Sequence, residues 1–169
     1  ARLMMNESET LELKKGPAEL SEGLNSISAM LNKHGRCELW LGVRNDGHAV
    51  GFDVTEKTLR DISQTLAAHI EPRIYPVVTR EVLEGAACVR IVCEGGEAPY
   101  FAHGRAFMRV ADEDRQLSAK ELERLILAKN REQMRWDNEP SRRTPADLDE
   151  EKIRRFVERA GLKWNGPRP

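Results

Sequence analysis

Apolar positions in this chain switch between a spacing of two and a spacing of three to four, and the switches mark out the elements. In "NESETLELKKG" (6–16), Leu11 and Leu13 alternate with Thr10, Glu12 and Lys14. This predicts a short strand with the leucines inward and the Thr-Glu-Lys row on the opposite face. That second face reads either as a solvated surface or as an acidic site facing a metal or a nucleic-acid backbone. After Gly16 and Pro17, Leu20, Leu24, Ile27 and Leu31 recur at four, three and four, the stripe of one helix face, which Gly35 ends. "CELWLGV" returns to period two, with Cys37, Leu39, Leu41 and Val43 sharing a face and Trp40 on the other. Asp46-Gly47 follows as a hairpin turn pair.

A second helix is expected over about Thr55 to His69, with Leu59, Ile62, Leu66 and Ile70 inward and Pro72 beyond its end. "PVVTREVL" and "ACVRIVC" flank Glu84-Gly85 as a second hairpin, and "RAFMRV" is a further strand. Ser118 and Glu121 have the spacing of a capping box and open a helix carrying Leu122, Leu125 and Ile126. "DNEPSRRTPAD" breaks the pattern and reads as a linker, with a last short helix after it. Hairpins mixed with helices argue for an α+β fold with a mixed, mostly antiparallel sheet and packed helices. The expected domains are a body over 1–136, a linker over 137–146 and an appended helix and tail over 147–169.

Composition changes this picture little. Of 169 residues, 27 are Lys or Arg and 28 are Asp or Glu, a net charge of −1 that by itself announces no nucleic-acid partner. The charge is uneven: 129–169 carries +3 and the remainder −4. No apolar run approaches the roughly 20 residues of a membrane helix, and no signal peptide opens the chain, so a cytoplasmic protein without a membrane partner is expected. Cys37, Cys88 and Cys93 lie in strand-like runs and read as buried thiols in a reducing compartment.

"ESETLELKKG", "SAMLNKHGRCELWLGVRNDGHAVG", "APYFAHGRAFMRV" and the Ser118 helix, in that order over about residues 7 to 130, resemble the Schlafen/AlbA-type DNA-binding domain, a divergent AAA-like family. One departure is that Gly35 is followed by Arg36 where the family has a second glycine. The resemblance implies a nucleic-acid-binding module, DNA more than RNA, of a bacterial transcriptional regulator or helicase-related protein. It also implies a second reading, a metal-dependent endoribonuclease of the Schlafen type. By motif position its acids would be Glu7, Glu12 and Asp46, which would serve as both catalytic and metal-binding residues. Hard oxygen donors of this kind suit Mg²⁺ or Mn²⁺. Binding requires no cofactor, and the segment has no phosphate loop for ATP.

The cationic and polar candidates for phosphate contact are Lys14, Lys15, Arg44, His103, Arg105 and Arg109. Each also reads as an ordinary surface charge, and Arg109 as one end of an internal salt bridge. Tyr100 and Phe101 read as core residues or base-stacking residues. Arg142 and Arg143 in the linker, with Arg154, Arg155 and Arg159 beyond it, read as a backbone-gripping arm or as helix-surface pairs with nearby glutamates. A third class is an interaction module that forms a homodimer through the last helix.

Overall fold

The computed structural model describes residues 5–138 and 149–161. The predicted linker, with Arg142 and Arg143, lies almost wholly outside the described residues, as does the tail beyond 161. By its contacts the chain divides into two units, Ala1–Asn130 and Arg131–Pro169.

The first unit is built on two four-stranded sheets. One has the order β1 (Leu11–Lys14), β2 (Arg36–Leu41), β5 (Ala86–Glu94), β4 (Val77–Leu83). The other runs β3 (Ile70–Glu71), β6 (Phe101–Ala102), β7 (Arg105–Val110), β8 (Glu113–Gln116). Among the described residues only β1 and β2 pair in parallel, and the other strand pairings are antiparallel. Helix α1 (Leu20–His34) packs on both sheets, chiefly through β2 and β7, and α2 (Glu56–His69) closes the core beyond it. The fold is therefore α+β with mostly antiparallel sheets, as the pattern of elements predicts.

The helices form where their stripes predict. Leu20, Leu24, Ile27 and Leu31 of α1 are buried, as are Ile62 and Leu66 of α2. Thr55 caps α2 by accepting from the Thr58 N–H, and Ser118 and Glu121 make the capping box that opens α3 (Ala119–Asn138). In the second unit, Asp149 caps α4 (Glu150–Arg159), on which Phe156 is exposed.

Three expectations are corrected. The Thr-Glu-Lys face of β1 is not solvated. Glu12 and Lys14 are in register with Leu39 and Leu41, whose side chains enter the main core, so they face the helix side of the sheet. Leu13, Trp40, Val43 and Cys88 form a separate cluster on the opposite face. Val43 thus leaves the face of Cys37, Leu39 and Leu41. The strand ends at Gly42, whose φ of +97° reverses the local path before Val43. The Asp46-Gly47 turn forms, but as a loop closed by one bridge between Val43 and Ala49 and not as a two-stranded hairpin.

Candidate nucleic-acid interface

The site lies where β1, the first turns of α1 and the 44–48 turn meet. Parallel pairing of β1 on β2 aims Glu12 beneath the helix, where it is only 4% exposed. An isolated carboxylate there would be too costly to ionise, and two cations compensate it. Lys14 Nζ lies 2.7 Å from Glu12 Oε1, and Arg109 Nη2 lies 2.7 Å from Oε2. The second contact is an ion pair without an aligned hydrogen bond, because the Arg109 donors are aimed elsewhere. Nη1 donates to Asp114 Oδ1 at 2.7 Å, and Nη2 donates to the Ser8 carbonyl at 2.9 Å. Asp114 in turn accepts from Ser26 on α1.

Arg109 is 0% exposed. The structure therefore removes it from the set of phosphate contacts and makes it the internal anchor of the site. Desolvation opposes its charge, but the bond and charge of Asp114, followed by Glu12, outweigh it and raise its pKa. Lys14 is balanced in the same way. Burial lowers it, and the hydrogen bond and charge of Glu12, with Glu7 and Glu22, raise it further.

Glu7 reaches back over the strand and accepts the Leu13 N–H at 3.3 Å. Burial first, and then the neighbouring Glu12 charge, push its carboxyl above the ordinary value. Glu7 and Glu12 are thus neighbours. Asp46 is engaged separately, with Arg44 Nη2 at 2.7 Å and the His48 N–H at 3.1 Å. Gly47 fixes this turn at φ +81°, packed so closely on the Met5 carbonyl that a Cβ would lie 2.3 Å from it.

Among the described residues no three His, Cys, Asp or Glu side chains are grouped to hold a metal ion. Each Glu12 oxygen faces a cation and Asp46 is turned to Arg44. In this arrangement the donor set does not fit a divalent ion.

Outside this network an open groove of about 730 Å³ is lined by Lys14, Lys15, Glu19, Glu22, Arg44, Asn45 and Asp46. Arg44 is 53% exposed despite its pairing, and Lys15 is exposed with no ion-pair partner among the described residues. On another side of the α1 N-terminus, the β6–β7 turn carries exposed His103 and Arg105. His103 Nε2 lies 3.2 Å from Ser21 Oγ in the first turn of α1, and its ring packs at 4.9 Å on His69 from the end of α2. Four expected residues (Lys14, Lys15, Arg44 and His103) thus flank the start of one helix, and exposed Arg105 opens β7 two residues beyond His103.

Asn45, Ser21 and His69 belong to the same surface and were missed. Asn45 adjoins Arg44 in sequence, so a turn-centred reading could have found it, whereas Ser21 and His69 carry no local signal. Tyr100 is a core residue whose hydroxyl accepts the Glu97 N–H, and Phe101 is half-buried in β6.

Comparisons with known proteins place the chain. The DIP2311 protein from Corynebacterium diphtheriae has a similar structure, at a TM-score of 0.56 and 17% identity over 71% of this chain. The chain spans 24% of that protein's structure. The N-terminal domain of a RecG-related protein from Nitrosomonas europaea matches at a TM-score of 0.47 and 19% identity, over 68% of this chain and 86% of that domain. No curated protein matches. The family model described as "Schlafen, AlbA_2" matches residues 7–118, the span that holds both sheets and the groove, and the chain belongs to that family.

Proposed function

We propose that this domain is a nucleic-acid-binding module, with DNA as its main ligand, within a larger transcriptional regulator or helicase-related protein. The observation that carries the reading is the groove at the α1 N-terminus, lined by Lys14 and by exposed Lys15 and Arg44, with His103 on another side of the same helix start. Exposed basic and polar groups gathered at one place supply the phosphate-facing surface that binding needs. Family membership supports the same reading. Glu19, Glu22, Asn45 and Asp46 in the groove add acceptors, and Asn45 an amide donor, for bases and sugars.

The test is a titration of the chain with duplex DNA, single-stranded DNA and RNA at two salt concentrations. Affinity for DNA should exceed that for RNA and fall as salt rises. No salt-sensitive binding at low ionic strength would refute the module, and tighter RNA binding would refute the choice of DNA.

The adjacency of Glu7 and Glu12 is the observation behind a second reading as a metal-dependent nuclease. That reading requires Asp46 to leave Arg44 and Glu12 to leave Lys14 and Arg109. Cleavage of RNA in Mn²⁺ that disappears in Glu12→Gln would establish it, and inert RNA under those conditions would exclude it.

A further inference from the structure

Cys37 and Cys93 stand directly opposite each other on the antiparallel strands β2 and β5. Two pairs further along the same ladder, the Gly95 N–H donates to the Gly35 carbonyl at 2.9 Å. Hydrogen-bonded and open pairs alternate along such a ladder, so Cys37/Cys93 is again a hydrogen-bonded pair, with α-carbons about 5.5 Å apart. A disulfide needs α-carbons roughly 4.4–6.8 Å apart, most often about 5.5–6 Å.

Opposed residues project to the same face, and both side chains enter the core cluster, 3% and 2% exposed. The Cys93 thiol donates to the carbonyl of its neighbour Glu94 at 3.5 Å, with Cys37 directly opposite on the paired strand. The pair sits near the end of the ladder, two residue pairs in from the Gly35–Gly95 bond, so local opening of this end is the route by which a small reagent would enter. Cys88 lies on the opposite face, in the cluster with Leu13 and Trp40, its thiol turned to the Gly42 carbonyl. It cannot join the pair.

We propose that Cys37 and Cys93 form a reversible dithiol–disulfide site, oxidised by hydrogen peroxide. Cys93 is the attacking sulfur. The neighbouring Cys37 thiol, with help from the Tyr75 backbone, lowers its thiol against the opposing effect of burial. Its neighbour Cys93 and burial hold the proton on Cys37. The Cys93 thiolate attacks one peroxide oxygen. An S–O bond forms, the O–O bond breaks, and hydroxide leaves to take up the proton that Cys93 released. The Cys37 sulfur then attacks the Cys93 sulfur, an S–S bond forms, and the S–O bond breaks. The hydroxyl departs with the Cys37 proton as water. One peroxide is reduced to two waters as two thiols are oxidised to one disulfide.

The test uses the full chain, treated with hydrogen peroxide, quenched, denatured, alkylated and mapped by mass spectrometry. The expected product has lost two hydrogens, contains one Cys37–Cys93 cross-linked peptide, carries a single alkyl group on Cys88, and reverts with dithiothreitol. Cys88→Ala should behave identically. Cys37→Ser should leave Cys93 as a sulfenic acid that dimedone traps. The wild-type map decides the matter even where a serine variant folds poorly. Separate alkylation of Cys37 and Cys93 after peroxide, or a bridge through Cys88 or between chains, overturns the proposal.

Discussion

Two regions of this molecule are rich in charge and share Lys14, yet they do opposite things. Around Arg109 the charges are buried or half-buried and each is answered: Glu12, Asp114 and the Ser8 carbonyl engage the guanidinium. In the groove, Lys15 and Arg44 meet solvent, and Lys15 has no ion-pair partner among the described residues. The first region ties strands that are distant in sequence, and its charges are spent on that task. The second keeps Lys15 and the Arg44–Asp46 pair in solvent, where a ligand can reach them. Residue type does not distinguish them, because arginine appears in both; what distinguishes them is whether the charge is buried with its partners or meets water.

The largest test of the contrast is Arg109→Leu, which leaves half-buried Asp114 without its cation and buried Glu12 with Lys14 alone. Stability should fall by about 3–5 kcal/mol, read from the denaturant midpoint. A loss below about 1 kcal/mol would mean that the buried network does not hold the strands together. Adding Asp114→Asn to that variant should restore part of the loss, since the carboxylate left without a cation is then gone.

Next in size is Gly47→Ala. The added methyl meets the Met5 carbonyl in a backbone conformation that L-residues rarely adopt, so a cost of about 1–3 kcal/mol is expected in the same denaturation assay. An unchanged midpoint would show that the turn bearing Arg44 and Asp46 adjusts freely.

Lys15→Ala and Arg44→Ala should each alter stability by no more than about 0.5 kcal/mol. In DNA titrations each should lower the slope of log affinity against log salt by about 1. An unchanged slope in both would remove the groove from the interface.

The smallest effect is a pH dependence at Glu7. Its folded carboxyl is raised, so the fold binds this proton more tightly than the unfolded chain does. Ionising it therefore costs stability. The cost is absent below the ordinary carboxylate value and is fully present once pH has risen through the folded value. Glu7→Gln should flatten that part of the stability–pH curve. An NMR titration that puts Glu7 at or below the ordinary value contradicts the assignment.

The elements were legible in sequence wherever an apolar stripe was long enough. Leu20 to Leu31 announces α1, and Ser118 with Glu121 announces the start of α3. Short or polar strands were not legible. Ile70–Glu71 and Phe101–Ala102 have two residues each, and Glu113–Gln116 is wholly polar, so neither period nor propensity marks them. The site was half legible. Lys15 and Arg44 follow from their places beside a strand and a turn. The burial of Glu12 follows from Arg109, which lies 97 positions away and leaves no trace in the local alternation around Leu11 and Leu13.

The buried arginine has a consequence for how the molecule meets copies of itself. β1 is an outer strand of its sheet, and such a strand normally offers unpaired carbonyls and amides on which another chain can build. Here the Leu13 amide is taken by the Glu7 carboxylate, and the Leu11 carbonyl by the Ser8 amide with Arg109 beside it. That border is closed by the molecule's own groups. The opposite border, β4, has no such closure described, and Val77 and Val82 lie exposed on either side of Arg80. Any strand-to-strand growth of this sheet would start at β4, with the Arg80 charge as the local obstacle to it.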